Sequence, residues 1–323
     1  VLLPILAAAA SLCFGRYAMA PLDLVDAIHD RIFGGMTVSP QITTVLWSMR
    51  LPRILLALLA GAGLSAAGCA FQSLFSNPLA TPDTIGVASG ASFGAALGLL
   101  LNFGLLGVQV VSLIFGLIAL ALTILAGSNK KRNNLNSIVL AGIMMGSLFS
   151  ALVSLIKFSA DPENQLPAIT YWLMGSLDSA GYDSLLLGAP PILIGLAILL
   201  LLRWRLNLLP LSEDEARSTG VNITLLRGIT IVCATMITAS VVSMCGQVGW
   251  VGLLVPHMCR MKFGNNHTVL LPASILAGGA FLVIVDTVAR SISAAEFPIS
   301  ILTAIIGAPF FIYLMRRTGG WQL

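Results

Sequence analysis

The chain has 323 residues, 57% hydrophobic and only 9% charged, with 31 glycines and a formal net charge of +4; its mean hydropathy is +0.96. This composition excludes a water-soluble globule, and strands of about 10 residues with alternating polarity, the mark of a transmembrane barrel, are not found. A hydrocarbon layer about 30 Å thick takes about 20 apolar residues per helix, and windows of that length recur, so the chain reads as an all-α polytopic membrane protein with one transmembrane domain over residues 1–323.

Val1–Phe14 is apolar, lacks a basic leader or small-residue cleavage site, and reads as the remainder of a first span, about 1–19, truncated at its start. The connection Ala20–Met49 has room for a short surface helix. A second span, about 52–72, opens on Pro52, a residue suited to a first helical turn. The uncharged run Thr84–Asn129 is too long for one helix and divides near Asn102–Gly107 into spans at about 84–101 and 106–127. A fifth span is expected at about 137–157 and a sixth at 184–203. Then comes a polar island, Leu211–Asn222 (LSEDEARSTGVN), carrying Glu213, Asp214, Glu215 and Arg217 between long uncharged runs. Within it Glu213–Ser218 reads as a short helix with Gly220 as its stop. The run Gly228–Cys259 divides near Gly246–Gly249 into spans at about 228–246 and 250–262, and the last two fall at about 268–289 and 299–316.

The eighth span is short by hydropathy, but counting it gathers Lys130, Lys131, Arg132, Arg203, Arg205, Arg217, Arg227, Arg260, Lys262, Arg316 and Arg317 on one face. Arg16, Arg31, Arg50, Arg53, Lys157 and Arg290 lie on the other. The basic-rich face is cytoplasmic by the positive-inside rule, which places both termini and the loop at about 203–227 inside. The tryptophans fall near span ends, as interfacial anchors do. Small-residue runs such as Ala60–Gly63 suit close helix packing, and the five cysteines, without C-x-x-C spacing, read as small packing residues.

Catalytic motifs are missing. None of the lysines completes a phosphate-binding loop, and His29, His257 and His267 form no paired ligand set, so the chain is not expected to be an enzyme. Asp286 is the candidate acid within a span, near its outer end, and Arg290 lies one helical turn later on the same face. Structural pairing is one reading of Asp286; the other is a proton site in an ion-coupled secondary transporter. Arg50 and Arg53 flank Leu51–Pro52, and Arg53 sits at the positive end of a helix dipole, where a cation is disfavoured. Headgroup anchoring and docking of an acidic partner both account for them, and Arg290 is placed to join them. The charged island suits a lever worked by a soluble motor subunit.

Several stretches resemble one family. RLPRILLALLAGAGLSAAGCAFQSLFSNPLATPDTIGVASGASFGA (Arg50–Ala95), LPAITYWLMGSL (Leu166–Leu177), the island, GWVGLLVPHMCR (Gly249–Arg260) and DTVARSISAAEFPISILTAIIGAPFFIYLMRR (Asp286–Arg317) are similar to FecCD-type permeases of ABC importers. The resemblance runs in order over nearly the whole chain. It implies the type II ABC importer permease fold: ten transmembrane helices in an inverted repeat, spans two to five against seven to ten. It also implies a homodimer with the path at its interface, two ATPase subunits on the cytoplasmic face of the inner membrane, and a substrate-binding protein outside. ATP and Mg would sit on the ATPase, with no cofactor on this chain and no nucleic acid among its partners. By the same resemblance Arg50, Arg53 and Arg290 receive the binding protein. The ATPase is met by Leu211, Ser212, Glu213, Asp214, Glu215, Ala216, Arg217, Ser218, Thr219, Gly220 and Val221. A cytoplasmic gate falls on Asn134, Leu135 and Asn136, where the chain departs from the small hydroxyl residues of the cobalamin permease. The implied cargo is a metal chelate of the siderophore, haem or cobalamin class; a molybdate- or tungstate-type oxyanion is the alternative.

Overall fold

The computed structural model describes residues 2–15, 17, 19–34, 38–127, 135–211, 215, 218–292 and 296–317. Regular structure among them is helical throughout. The first helices are α1 (Leu2–Cys13), α2 (Pro21–Phe33) and α3 (Pro40–Thr44). From α3 the chain passes through a π-helical turn, Val45–Arg50, directly into α4 (Leu51–Leu74). In that turn Leu51 N–H reaches back five residues to Leu46 O. The widened turn lies just ahead of Pro52, which has no N–H to give and whose ring would crowd the Ser48 carbonyl in a regular helix. It turns Arg50 toward the end of α1.

A 3-10 turn, Pro82–Ile85, leads to α5 (Val87–Leu100) and α6 (Leu105–Gly127), followed by α7 (Leu135–Ser159), α8 (Gln165–Leu173) and α9 (Tyr182–Leu202). A second 3-10 turn, Arg205–Leu208, precedes the loop to α10 (Ile223–Cys245); α11 (Val251–Phe263), α12 (His267–Ile292) and α13 (Ile299–Arg317) complete the order. A helix occupies each of the ten stretches expected to span. Six helical stretches, α3–α4 as one and α6, α7, α9, α10 and α12, are long and apolar enough to cross a bilayer, while α1, α5 and α13 are apolar but shorter. At 13 residues α11 is about 20 Å long, less than a bilayer's hydrocarbon thickness.

Helix breaks fall where expected. Asn102 takes a left-handed φ of 55° between α5 and α6, and Gly246 a φ of 69° after α10. A side chain at Gly246 is blocked as well, because a Cβ there would lie 2.2 Å from Trp172 O. The surface helix expected within Ala20–Met49 is α2. Sequence reading gave no helix at α8, which is only nine residues long. Its signal was local: Asp161 Oδ2 accepts from Asn164 N–H at 2.9 Å, and Gln165 Oε1 accepts from Asp161 N–H at 3.1 Å. Such a reciprocal arrangement marks a helix start.

The bundle is built around α4 and α10, which are the most enclosed helices. Their buried faces are largely small, among them Ala57, Ala60, Ala66, Ala67 and Cys69 on α4 and Cys233, Ala234 and Ala239 on α10. Where apolar surface faces lipid rather than water, close van der Waals approach holds helices together. The antiparallel pair α4–α12 takes this furthest: a Cβ on Gly61 would meet Gly278 O at 2.2 Å, and one on Gly278 would meet Gly61 O at 2.3 Å. At the periphery, α7 exposes Leu140, Met144, Leu155 and Phe158, and α13 exposes Ile305, Ile306 and Ile312.

Candidate functional site

The end of the bundle that holds the C-terminus of α1, the start of α4 and the C-terminal part of α12 carries a charged cluster. Asp286 on α12 is 1% exposed. Arg53 of α4 donates to it from Nε at 2.9 Å to Oδ1 and 3.2 Å to Oδ2, and from Nη2 to Oδ1 at 2.8 Å. Arg290 Nε stands 3.6 Å from Asp286 Oδ2. The i,i+4 pairing read from sequence is therefore present, but the short hydrogen bonds come from Arg53, 233 residues away in the chain. Arg53 Nη1 also meets Glu296 Oε2 at 2.8 Å and Asp178 Oδ1 at 3.8 Å.

Arg50 and Arg290 turn toward α1. Arg50 donates to the carbonyls of Leu12 and Tyr17, and Arg290 to Ser11 O and, at 2.6 Å, to Ser11 Oγ. Thr287 Oγ1 adds a bond to Ser11 Oγ at 2.8 Å. The last carbonyls of a helix have no partner within it and carry its negative dipole end, so two guanidiniums there both satisfy them and match their charge. The structure thus brings Arg50, Arg53 and Arg290 together and encloses them: Arg50 is 4% exposed and the Arg53 side chain 12%. Asp178, with 62% of its side chain exposed, is the accessible member of the cluster. A carboxylate gripped by one arginine and flanked by a second has the geometry of a structural ion pair. Asp178, Glu296 and Ser11 were not singled out from sequence; no motif spacing links them to Arg53 or Arg290.

At the opposite end, Leu211, Glu215, Ser218, Thr219, Gly220 and Val221 of the island lie within the described residues. Glu215 and Ser218 are helical and exposed, and Ser218 Oγ donates to Glu215 O at 2.7 Å. Gly220 follows with φ 74°, in keeping with its reading as a helix stop. Ser212, Glu213, Asp214, Ala216 and Arg217 lie outside the described residues, as does Asn134 of the expected gate. Leu135 and Asn136 open α7. Side-chain ties at this end were not read from sequence. Ser73 Oγ of α4 donates to Leu206 O at 3.0 Å. Asn207 Oδ1 accepts from the backbone N–H of His267 at 2.9 Å, and Arg260 Nη2 donates to Gln72 Oε1 at 3.1 Å. Helix-end hydrogen bonding of this kind leaves no periodic trace in a sequence. No group of three or more His, Cys, Asp or Glu placed to hold a metal ion occurs among the described residues.

The chain is 42% identical, over 98% of its own length and 95% of the relative's, to the molybdate import system permease protein MolB of Haemophilus influenzae. It is 39% identical to the cobalamin import system permease protein BtuC of Halobacterium salinarum, over 84% of this chain and 73% of that one. Among solved structures, a metal-chelate type ABC transporter in an inward-facing conformation superposes with a TM-score of 0.88 at 42% identity, covering 98% of this chain and 97% of the other. The fold is accordingly that of a type II ABC permease. The profile of the FecCD transport family matches residues 2–317. By that match and these identities, the chain belongs to the FecCD transport family of ABC transporter permeases.

Proposed function

We propose that this chain is the membrane subunit of an ATP-driven importer that takes a metal chelate from a binding protein and passes it to the cytoplasm. In this reading the ten apolar helices α1, α4–α7 and α9–α13 each traverse the inner membrane, both termini are cytoplasmic, and the spans form an inverted repeat. Two copies pair, with the path between them. The loop at residues 203–227 meets an ATPase that brings ATP and Mg, and the arginine cluster lies at the receiving face. An incoming acidic side chain could exchange there for Asp178, whose 3.8 Å contact with Arg53 is the longest in the cluster.

The observation that carries the proposal is a polar stripe on the exposed face of α7. Ser147, Ser150 and Ser154 are all exposed, spaced three and four residues apart and thus on one side of the helix. Ser147 Oγ donates to Ile143 O at 2.9 Å and Ser154 Oγ to Ser150 O at 3.0 Å. Hydroxyls on a span are better placed along a wet seam between helices than against acyl chains, which suits a path lined by α7 from each copy. A second reading, an oxyanion of the molybdate class as cargo, is favoured by the 42% identity to MolB over nearly the full length.

The test is reconstitution in proteoliposomes with the cognate ATPase and binding protein, followed by uptake of ferric siderophore, haem, cobalamin and molybdate. ATP-dependent accumulation of a chelate is expected. Accumulation of molybdate alone would select the second reading, and uptake driven by an ion gradient without ATP would overturn both.

A further inference from the structure

The loop that carries the charged island joins the bundle by two unlike ends. Downstream, Asn222 caps α10: its Oδ1 accepts from Leu225 N–H at 3.0 Å, a bond that stays within one helix. Upstream, the turn Arg205–Leu208 is fastened to two other helices. Leu206 and Leu209 are fully enclosed in the main core. Buried Ser73 of α4 holds the Leu206 carbonyl. Asn207 spans to α12 with both ends of its amide. Its Oδ1 accepts from His267 N–H at 2.9 Å and lies 3.0 Å from His267 Nδ1. Its Nδ2 donates to Asn266 Oδ1 at 3.2 Å. Since Asn207 Oδ1 only accepts, the ring nitrogen facing it is the protonated one. One of the otherwise orphaned first-turn N–H groups of α12 is thus satisfied by a side chain 60 residues earlier.

What Asn207 holds is one end of a stiff body. The backbones of α4 and α12 touch at Gly61 and Gly278, where no side chain fits between them, and Arg53 ties the same two helices through Asp286. His267 and Asp286 are 19 residues apart on one helix, about 29 Å along its axis. A push on the turn at Arg205–Leu208 therefore reaches the arginine cluster through two helices that have little freedom to slide.

We propose that Asn207 is the positioning residue that transmits movement of the loop to the α4–α12 pair, coupling the ATPase at one end of the bundle to the arginine cluster at the other. The inference rests on the importer reading above.

The test uses the complete complex in proteoliposomes, with labelled ferric siderophore, haem, cobalamin and molybdate as parallel probes, and measures ATP hydrolysis and uptake in the same vesicles. Asn207→Ala removes all three contacts. Asn207→Asp keeps the acceptor facing His267 and places a carboxylate at a helix N-terminus, where it is favoured. Uptake per ATP hydrolysed is expected to fall at least about fivefold in Asn207→Ala and to return to within about twofold of wild type in Asn207→Asp. An unchanged ratio in Asn207→Ala overturns the proposal. So does a parallel loss of hydrolysis and uptake that Asn207→Asp does not repair, because that marks a merely structural role. If Asn207→Ala fails to assemble, Asn207→Ser, whose shorter side chain has one polar atom in place of two and so cannot hold both His267 and Asn266, takes its place, and a ratio unchanged from wild type in that variant is equally decisive against the proposal. A wild-type complex that moves none of the four probes with ATP refutes the importer reading, and the coupling role with it.

Discussion

Removing Asp286 should unsettle the bundle more than any other single change in the cluster. Its carboxylate takes three hydrogen bonds from Arg53 between 2.8 and 3.2 Å and lies 3.6 Å from Arg290 Nε. Deleting one partner of a buried ion pair leaves the other charge uncompensated and costs about 3–5 kcal/mol. Glu296, 2.8 Å from Arg53 Nη1, stays in place and offsets part of that, so the expected loss for Asp286→Ala is about 3 kcal/mol. At roughly 2 °C per kcal/mol for a large domain, the unfolding midpoint falls by roughly 6 °C. Heating the purified protein in detergent and following the folded fraction by size-exclusion chromatography reads this directly. Replacing the whole set, Arg53→Met with Asp286→Leu and Glu296→Gln, leaves neither Arg53 nor Glu296 as a stranded charge and should recover at least half of the loss. A midpoint unchanged in Asp286→Ala, or a triple variant no better than the single, would refute the reasoning. Asp286→Asn, which keeps an acceptor for Arg53, should retain most of the stability and the uptake; abolished uptake in a stable Asp286→Asn protein would favour the proton-site reading instead.

Gly278→Ala is expected to lower the midpoint by the equivalent of about 1–3 kcal/mol, because its Cβ would stand 2.0 Å from Ser65 Oγ and 2.3 Å from Gly61 O. Gly104→Ala, with nothing within 4 Å, should leave it unchanged, and equal effects at the two sites would contradict the packing argument. Arg50→Ala withdraws charged donors from Leu12 O and Tyr17 O, bonds of a kind worth about 1.5–3 kcal/mol. Amide exchange in α1 should then speed up, and unaltered exchange there would show that α1 is seated by its apolar contacts alone.

The long apolar helices were legible because bilayer thickness imposes a length and a polarity that any window of about 20 residues reveals. Breaks at Asn102 and Gly246 were legible for a related reason: polar and glycine residues interrupt apolar runs. The short helix α8 escaped because nine residues are too few for a hydropathy window, although the reciprocal bonds of Asp161 and Gln165 mark its start. At the charged end, sequence spacing exposed the Arg290–Asp286 neighbourhood but not the dominant Arg53–Asp286 bonds, since an antiparallel register between α4 and α12 exists only once the bundle is formed. The motif around Arg50 also gave no sign that its guanidinium is turned inward to cap α1. That outcome follows from the π-turn before Pro52, which no periodicity announces. At the other end the charged island drew attention by its polarity, whereas Asn207, in an unremarkable Arg-Leu-Asn-Leu stretch, gained meaning only from its bonds to α12.

The most direct test of the account is vectorial transport by the reconstituted complex. Vesicles containing this chain, its ATPase and, on the arginine-cluster side, the loaded binding protein should accumulate cargo only when ATP is supplied on the side of the 203–227 loop. Accumulation with ATP confined to the arginine-cluster side, or with no ATP at all, would contradict it.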